Sequence, residues 1–503
     1  MMRVRTMNAA LAATGGLIAL AVTGVSCTDE SGKTTVPPGG LVCGAGTHEQ
    51  DGECRPDTQR ETTVQTGQLA PIPENPKPTG WDTTYSQKVG VKLFATYPES
   101  DVGPNAWDVA AHPLVFITTV GPGYGGFLGD VKWPGVAVVD ANTYEVVAYA
   151  AYNMANEGWK EEDVFEPHGM GVSSDGKWIY LPTGKGRADG RVLIINARTL
   201  KLDKQLIMRE GGRPHHAKCF KDSAGNERVL VYGWGQPPFV LDPKADPADG
   251  ISNKIVGGVD FNDTGMEGYL WFVTPDGKEM WGSGRWRLGN VSSEVHGNII
   301  MTVDTATWKL KSYIPFPDES TPVWVEFSAE NKFAYVSGGH SSTVLKYDRV
   351  EKKRVGIARA GVEGPYGVRL NWDGKEIYTV GKGEGSHNQG KELGLVDATK
   401  IGTMDRPITQ YTTDCVRGDH ATLHPTPDKK ELWLSCNSSF EVVVFDMANK
   451  KVKTRIPMPN QGSTHSGSFV QYKNDFTGAV LSDQNGLHGT ALETQAKMQA
   501  GGQ

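Results

Sequence analysis

The sequence has no excess of positive charge: 51 lysines and arginines face 58 aspartates and glutamates, a formal net charge of −7. That balance excludes a protein organised around a nucleic-acid footprint. There is no H-E-x-x-H, no C-x-x-C and no C-x-x-C-H, so a zincin helix, a zinc ribbon and covalently attached haem are all excluded. Outside residues 9–25 no apolar run is long enough to span a bilayer. No amphipathic helical stretch occurs before the C-terminal tail, and cysteine is scarce, at six in 503 residues. Glycine, with 62 copies, and tryptophan, with 13, are abundant instead. With 22% charged residues and many aromatics, the chain is a folded body and not a disordered polymer.

Arg3 and Arg5 precede AALAATGGLIALAVTGV, which exits at Ser26-Cys27. A basic start, an apolar stretch and a small-residue exit predict a secretory signal over residues 1–26. Cleavage before Cys27 would expose a thiol for lipid attachment, as in bacterial lipoproteins. Ordinary secretion is the alternative, because Gly24 stands where such signals usually carry leucine. Either way the expected location is outside the cytoplasm, in the periplasm or cell envelope, with the membrane met only through a lipid anchor at Cys27. Residues 27–81, which include PPGG and PIPENPKPTGW, are expected to be a tether holding a small loop closed by a Cys43–Cys54 disulfide. Cys415 and Cys436, about one hairpin apart, predict a second bridge. Cys219 is then the odd thiol, either a buried apolar residue or a thiolate near a site.

From residue 82 to about 490 one pattern recurs, before a tail over 491–503. Its clearest copy is PHGMGVSSDGKWIYLPTG from Pro167, a strand, a D-G turn and a second strand with an aromatic. Related copies start at Ala106, His215, Glu267, Val323, Pro365, Asp419 and His465, about 42 to 62 residues apart. Short strands, polar turns and this spacing predict an all-β fold, a single β-propeller of four-stranded blades. Eight starts are visible, but the last copy is incomplete, so seven or eight blades both fit. The stretch QKVGVKLFATY near the N-terminus is expected to complete it. A pair of β-sandwiches is disfavoured by the constant loop register.

Propellers bind at the axial mouth, where the inner strands begin. His168, His215, His420 and His465 occupy one register position at those beginnings, with Tyr269, Trp324 and Tyr366 at it in other copies. His216 is an alternative to His215, since neighbours on a strand face opposite ways. His340 and His387 lie in glycine-rich loops after second strands, and Lys185 shares the loop position of His340. Neutral imidazoles without matching cysteines or carboxylates suit copper, in a centre of more than one ion, better than magnesium or calcium. Glu267, in GMEGYLWF, is the candidate catalytic base or acid. Asp419 is placed to orient His420, and His296 and His424 to support ligands. Arg213 and Arg417 would favour a small anionic substrate.

These residues resemble a known group. PHGMGVSSDGKWIYLPTGKGRADGRVLIINARTLKLDKQL is similar to the propeller domain of nitrous-oxide reductases, and VGKGEGSHNQGKELGLVD, RGDHATLHP and PNQGSTHSGSFV resemble thiocyanate dehydrogenases. The likeness covers most of residues 84–475 and is specific at these motifs. It implies a seven-bladed propeller with copper held by His168, His387, His420 and His465, and Glu267 as general base. It also implies oxidation of thiocyanate to cyanate and sulfur, with electrons passing to a separate acceptor such as a periplasmic cytochrome. Two departures stand out. No cysteine follows Cys436, unlike the copper loop that nitrous-oxide reductases add, and Ala106-Trp107 stands where other copies carry histidine. Two other readings compete: a lipid-anchored propeller binding a partner protein through Trp107, Tyr269, Trp324 and Tyr366, and a protein that stores or delivers copper.

Overall fold

The computed structural model describes most of residues 91–501, together with strand residues 47–50 and 53–56. Segments such as 121–132, 155–163, 244–253, 259–265, 287–297 and 384–389 lie outside the described residues, as do the expected signal, Cys27 and Cys43. Near the N-terminus Thr47–Gln50 and Glu53–Pro56 pair as an antiparallel hairpin, with Glu49 opposite Cys54.

The rest is a seven-bladed β-propeller. Blades 3 to 7 are antiparallel four-stranded meanders that open with the inner strands Arg213–Lys221, Met266–Val273, Pro322–Phe327, Pro365–Leu370 and Gly418–Leu423. Blade 2 has the short inner strand Gly171–Val172 and the strands Trp178–Lys185, Asp189–Asn196 and Leu202–Met208. Blade 1 closes the ring: its inner strand Ser463–Tyr472 comes from late in the chain and pairs with Leu114–Val120, followed by Gly135–Asp140 and Val146–Ala151. The copies at Ala106 and His465 are therefore one blade, which reduces eight starts to seven. QKVGVKLFATY does not fill that blade. Its strand Val91–Thr96 instead pairs with Leu202–Met208 as an extra outer strand on blade 2.

The turns follow from local chemistry. After the inner strands, Gly176, Gly277 and Gly374 of the D-G-K turns adopt φ of +71°, +66° and +71°, where a Cβ is strained. A Cβ on Gly277 would also stand 2.3 Å from the Lys221 carbonyl oxygen. Third strands end in an aspartate, or in blade 2 in Asn196, whose Oδ1 accepts the next turn's amides, as Asp140 does from Asn142 and Thr143, Asp446 from Ala448 and Asn449, and Asn196 from Arg198. Four residues after that aspartate the chain takes a positive φ, at Tyr144, Trp308, Lys352 and Lys450.

Those turn residues join neighbouring blades. Glu279, Glu376 and Glu431 each begin a second strand and accept a hydrogen bond from the aromatic two residues on, Trp281, Tyr378 and Trp433. The next blade's turn residue reaches back to each carboxylate: Lys352 to Glu279, Lys450 to Glu376 and Tyr144 to Glu431. Burial opposes ionisation of Glu279, but Lys311 and Lys352 outweigh it and hold its pKa down at about 2. A depressed carboxylate contributes stability above its unfolded pKa near 4.5, lost as pH falls through the folded value. In urea titrations between pH 5 and pH 2, E279Q is expected to lose less stability than the parent, having started lower at pH 7.

Apolar side chains pack between blades, with Trp271, Trp281 and Trp324 fully buried. Beyond the closing strand, Gly478–Asp483 and Gly486–Leu487 extend blade 1. The tail is a helix over Gly489–Gly501, docked on the first turns of blades 5 and 6: Gln499 Oε1 accepts from the Ala329 backbone amide, and Gln495 Nε2 donates to the Asn371 backbone carbonyl.

Candidate metal centre

The inner strands break their own alternation where the histidines sit. Register shifts fall between Pro214 and His216, Pro322 and Val325, Pro365 and Val368, Gly418 and Ala421, and Thr464 and Gly467. Such bulges turn neighbouring residues to the same side. In two of them a second-strand serine fills the gap: Ser435 Oγ accepts the His420 amide, and Ser337 Oγ accepts the Trp324 amide. The bulge brings the rings of both His215 and His216 against His168, although only His216 shares a donor group with it among the described residues, and Asp419 and His420 likewise enter the cluster side by side.

His168 is the hub. Its ring centroid lies 4.3 Å from that of His215, 4.9 Å from His216, 5.1 Å from His420 and 4.2 Å from His465. It is held there because the His168 and Gly169 amides both donate to the His215 carbonyl, and the Ala217 amide donates to Gly169. Only glycine fits at 169, since a Cβ would stand 2.3 Å from His216 Nδ1. Asp419 Oδ2 is 2.8 Å from both His168 Nε2 and His465 Nδ1 and 3.7 Å from His420 Nε2, so it serves His168 and His465 more closely than the neighbour it was expected to orient. Asn437 Nδ2 contacts His465 as well.

Among the described residues, two groups have donor atoms within 4.8 Å of one another: His168, His216 and His420, and His168, Asp419 and His465. All five residues are buried. Nδ1 of His168, both ring nitrogens of His420, and Nε2 of His216 are buried without a hydrogen-bond partner, while Nε2 of His168 faces Asp419. Orphaned buried nitrogens that converge are what a metal ion would satisfy. Burial holds His168 and His216 well below the usual histidine range and His420 down at about 3, so all three are neutral with lone pairs available. Burial would raise Asp419, but His168, Lys382 and His420 outweigh it, and its pKa lies well below the carboxylate range.

Lys382 was missed from sequence. Its ammonium is 2.7 Å from Asp419 Oδ1 and 3.6 Å from the Tyr366 ring centroid, and it balances the aspartate's charge. The signal was present, because Lys382 repeats the G-K-G register of Lys185. Lys218 was also missed: its buried amine lies 3.4 Å from the Phe272 ring centroid, and burial lowers its pKa well below the usual lysine range.

Other expectations are corrected. His340 is exposed, beside Thr321 Oγ1, and belongs to neither donor group. His424 accepts the Thr426 amide and packs edge-on against Phe469 of the neighbouring blade 1, and it belongs to neither donor group. Trp107 is buried against Phe116, Tyr472 and Phe476, and the inner strand of blade 1 is Ser463–Tyr472, so the position equivalent to the other histidines in that blade is His465 and not Trp107. Trp324 and Tyr366 are buried against His420 and are not free anchors for a partner. His387 and His296, and the side chains of Glu267 and Tyr269, lie outside the described residues. Cys415 and Cys436 form a disulfide that ties the loop before Asp419 to the second strand of blade 7, while Cys219 is a buried free thiol.

No family model and no curated protein matches the chain. Among solved structures, a protein from Bacteroides fragilis described as a 6-phosphogluconolactonase has a TM-score of 0.51 at 15% identity, covering 72% of this chain and 100% of its own. A Bacteroides uniformis protein of the same description gives 0.50 at 14%, with 72% and 100% covered, and a Lactobacillus plantarum protein gives 0.50 at 14%, with 71% and 99%. At these identities the likeness is one of fold alone, and it places the chain among seven-bladed β-propellers.

Proposed function

We propose that this protein is an exported copper oxidoreductase acting on a small sulfur- or nitrogen-containing anion, with thiocyanate as the substrate that the motif resemblance implies. The observation that carries the reading is the group of orphaned nitrogens on His168, His216 and His420, buried around an ionised Asp419. Copper held by those histidines, and by His168, Asp419 and His465, would polarise the anion and accept electrons. The chain's own residues keep the imidazoles neutral by burial and hold Asp419 ionised against Lys382. For thiocyanate the overall balance is thiocyanate plus water giving cyanate, sulfur, two protons and two electrons. The electrons leave to a separate acceptor such as a periplasmic cytochrome. Glu267 stays the proposed base, His387 a further proposed ligand and Cys27 the proposed lipid attachment.

His168 belongs to both donor groups, so H168A separates this reading from a single adventitious site. Plasma mass spectrometry should find copper in the purified protein, almost none in H168A, and a partial loss in H216A and H465A. Copper that stays bound in H168A would refute the assignment. Bound copper with no thiocyanate-dependent reduction of an added acceptor would favour storage or delivery.

A further inference from the structure

We infer that Gln484, from the turn between Gly478–Asp483 and Gly486–Leu487, is a positioning residue that fixes the tautomer of His216 and so makes the C-terminal segment part of the metal centre. Gln484 Nε2 donates to the Met170 carbonyl at 3.2 Å and the Ala217 carbonyl at 3.0 Å. Those two bonds fix the orientation of the amide, and Oε1 is left facing His216 Nδ1 at 3.3 Å. An amide oxygen only accepts, so Nδ1 carries the proton and Nε2 keeps its lone pair. Nε2 is the nitrogen that is buried without a partner. Tyr232 stacks on the same ring at 4.9 Å and 8°, which keeps it from turning over.

The turn that carries Gln484 is itself gripped. The fully buried Arg369 donates from one terminal nitrogen to the carbonyls of Asp483 and Gln484, at 3.3 Å each. Asp483 Oδ1 accepts the Asn485 amide at 2.6 Å and lies 2.8 Å from His488 Nε2. A metal-bound imidazole fixed through its other nitrogen is a known requirement of ligand orientation, and losing such a partner typically lowers metal affinity about 10- to 100-fold. The inference rests on the metal reading for its affinity arm only.

The test uses the full chain labelled with 15N-histidine, and Q484M and Q484E. In the metal-free parent, long-range proton–nitrogen spectra should show His216 as the Nδ1–H tautomer. Q484M, of similar size and without the acceptor, should lose that signature and bind copper about 10- to 100-fold more weakly. Q484E keeps an acceptor and gives up the donations to Met170 and Ala217, so it should keep the tautomer while melting lower. A purely structural role would instead move Q484M and Q484E alike. An Nε2–H tautomer in the parent, or a folded Q484M with parental tautomer and affinity, would overturn the inference. Should Q484M fail to fold, the parent and Q484E spectra decide. Should the parent bind no metal, the function reading fails, and the metal-free spectra still decide on Gln484.

Discussion

D419A is expected to lower stability by about 3–5 kcal/mol, as removing one partner of a buried ion pair does. The variant strands Lys382 with its ammonium over Tyr366 and no counter-charge, in a position only 7% exposed. It also takes the shared oxygen from His168 and His465. The double variant D419A/K382M should recover much of that stability, because no buried charge is then left alone. It should not recover metal, since His168 and His465 still lack the carboxylate. Thermal melts and metal content of the two variants thus separate Asp419's part in the fold from its part in the site. A double variant no more stable than D419A would show that the ion pair is not what the single variant breaks.

The second large effect is at Arg369. Besides the two turn carbonyls, its guanidinium reaches Glu326 at 2.8 Å and the Ala421 carbonyl at 3.1 Å, which ties blades 5, 6 and 7 to the C-terminal turn. R369M should cost about 3–5 kcal/mol and weaken metal binding through the loosened Gln484 turn. Its pH dependence has a definite sign. Burial raises Glu326 to about 7, against the opposing pull of Arg369. A raised carboxylate favours the folded state at low pH, and that contribution fades as pH rises from the unfolded value toward and through 7. Without Arg369 the carboxyl moves higher still. R369M should therefore lag the parent more at pH 8 than at pH 5.5 in denaturant melts, and an equal gap at both would contradict this account.

Much of this was legible in the sequence, and the failures have physical causes. The propeller followed from a constant turn chemistry, because D-G-K and the third-strand aspartate are local signals that need no tertiary context. Register singled out His168, His215, His420 and His465, whose rings the fold does bring together, although the donor groups take His216 in place of His215. Period-two alternation, however, forced a choice between His215 and His216, and a bulge is a pairing defect that a single strand does not reveal. Gln484 and Lys382 come from elements remote in sequence from the histidines they serve, and neither is a usual ligand. The ring closure was misread because an N-terminal strand of suitable composition was at hand, while the true partner of Ser463–Tyr472 was the interrupted copy after Ala106.

That closure has a thermodynamic consequence. Thr118 and Ser466 meet across a separation of 348 residues, one position from His465, while the Met170 amide of blade 2 donates to the same Ser466 hydroxyl. The donor groups thus straddle the seam at which the two ends of the repeat array come together. The proposed ion would act there as a rivet: it would stabilise the closed ring by its own binding free energy, and the seam could not part without releasing it.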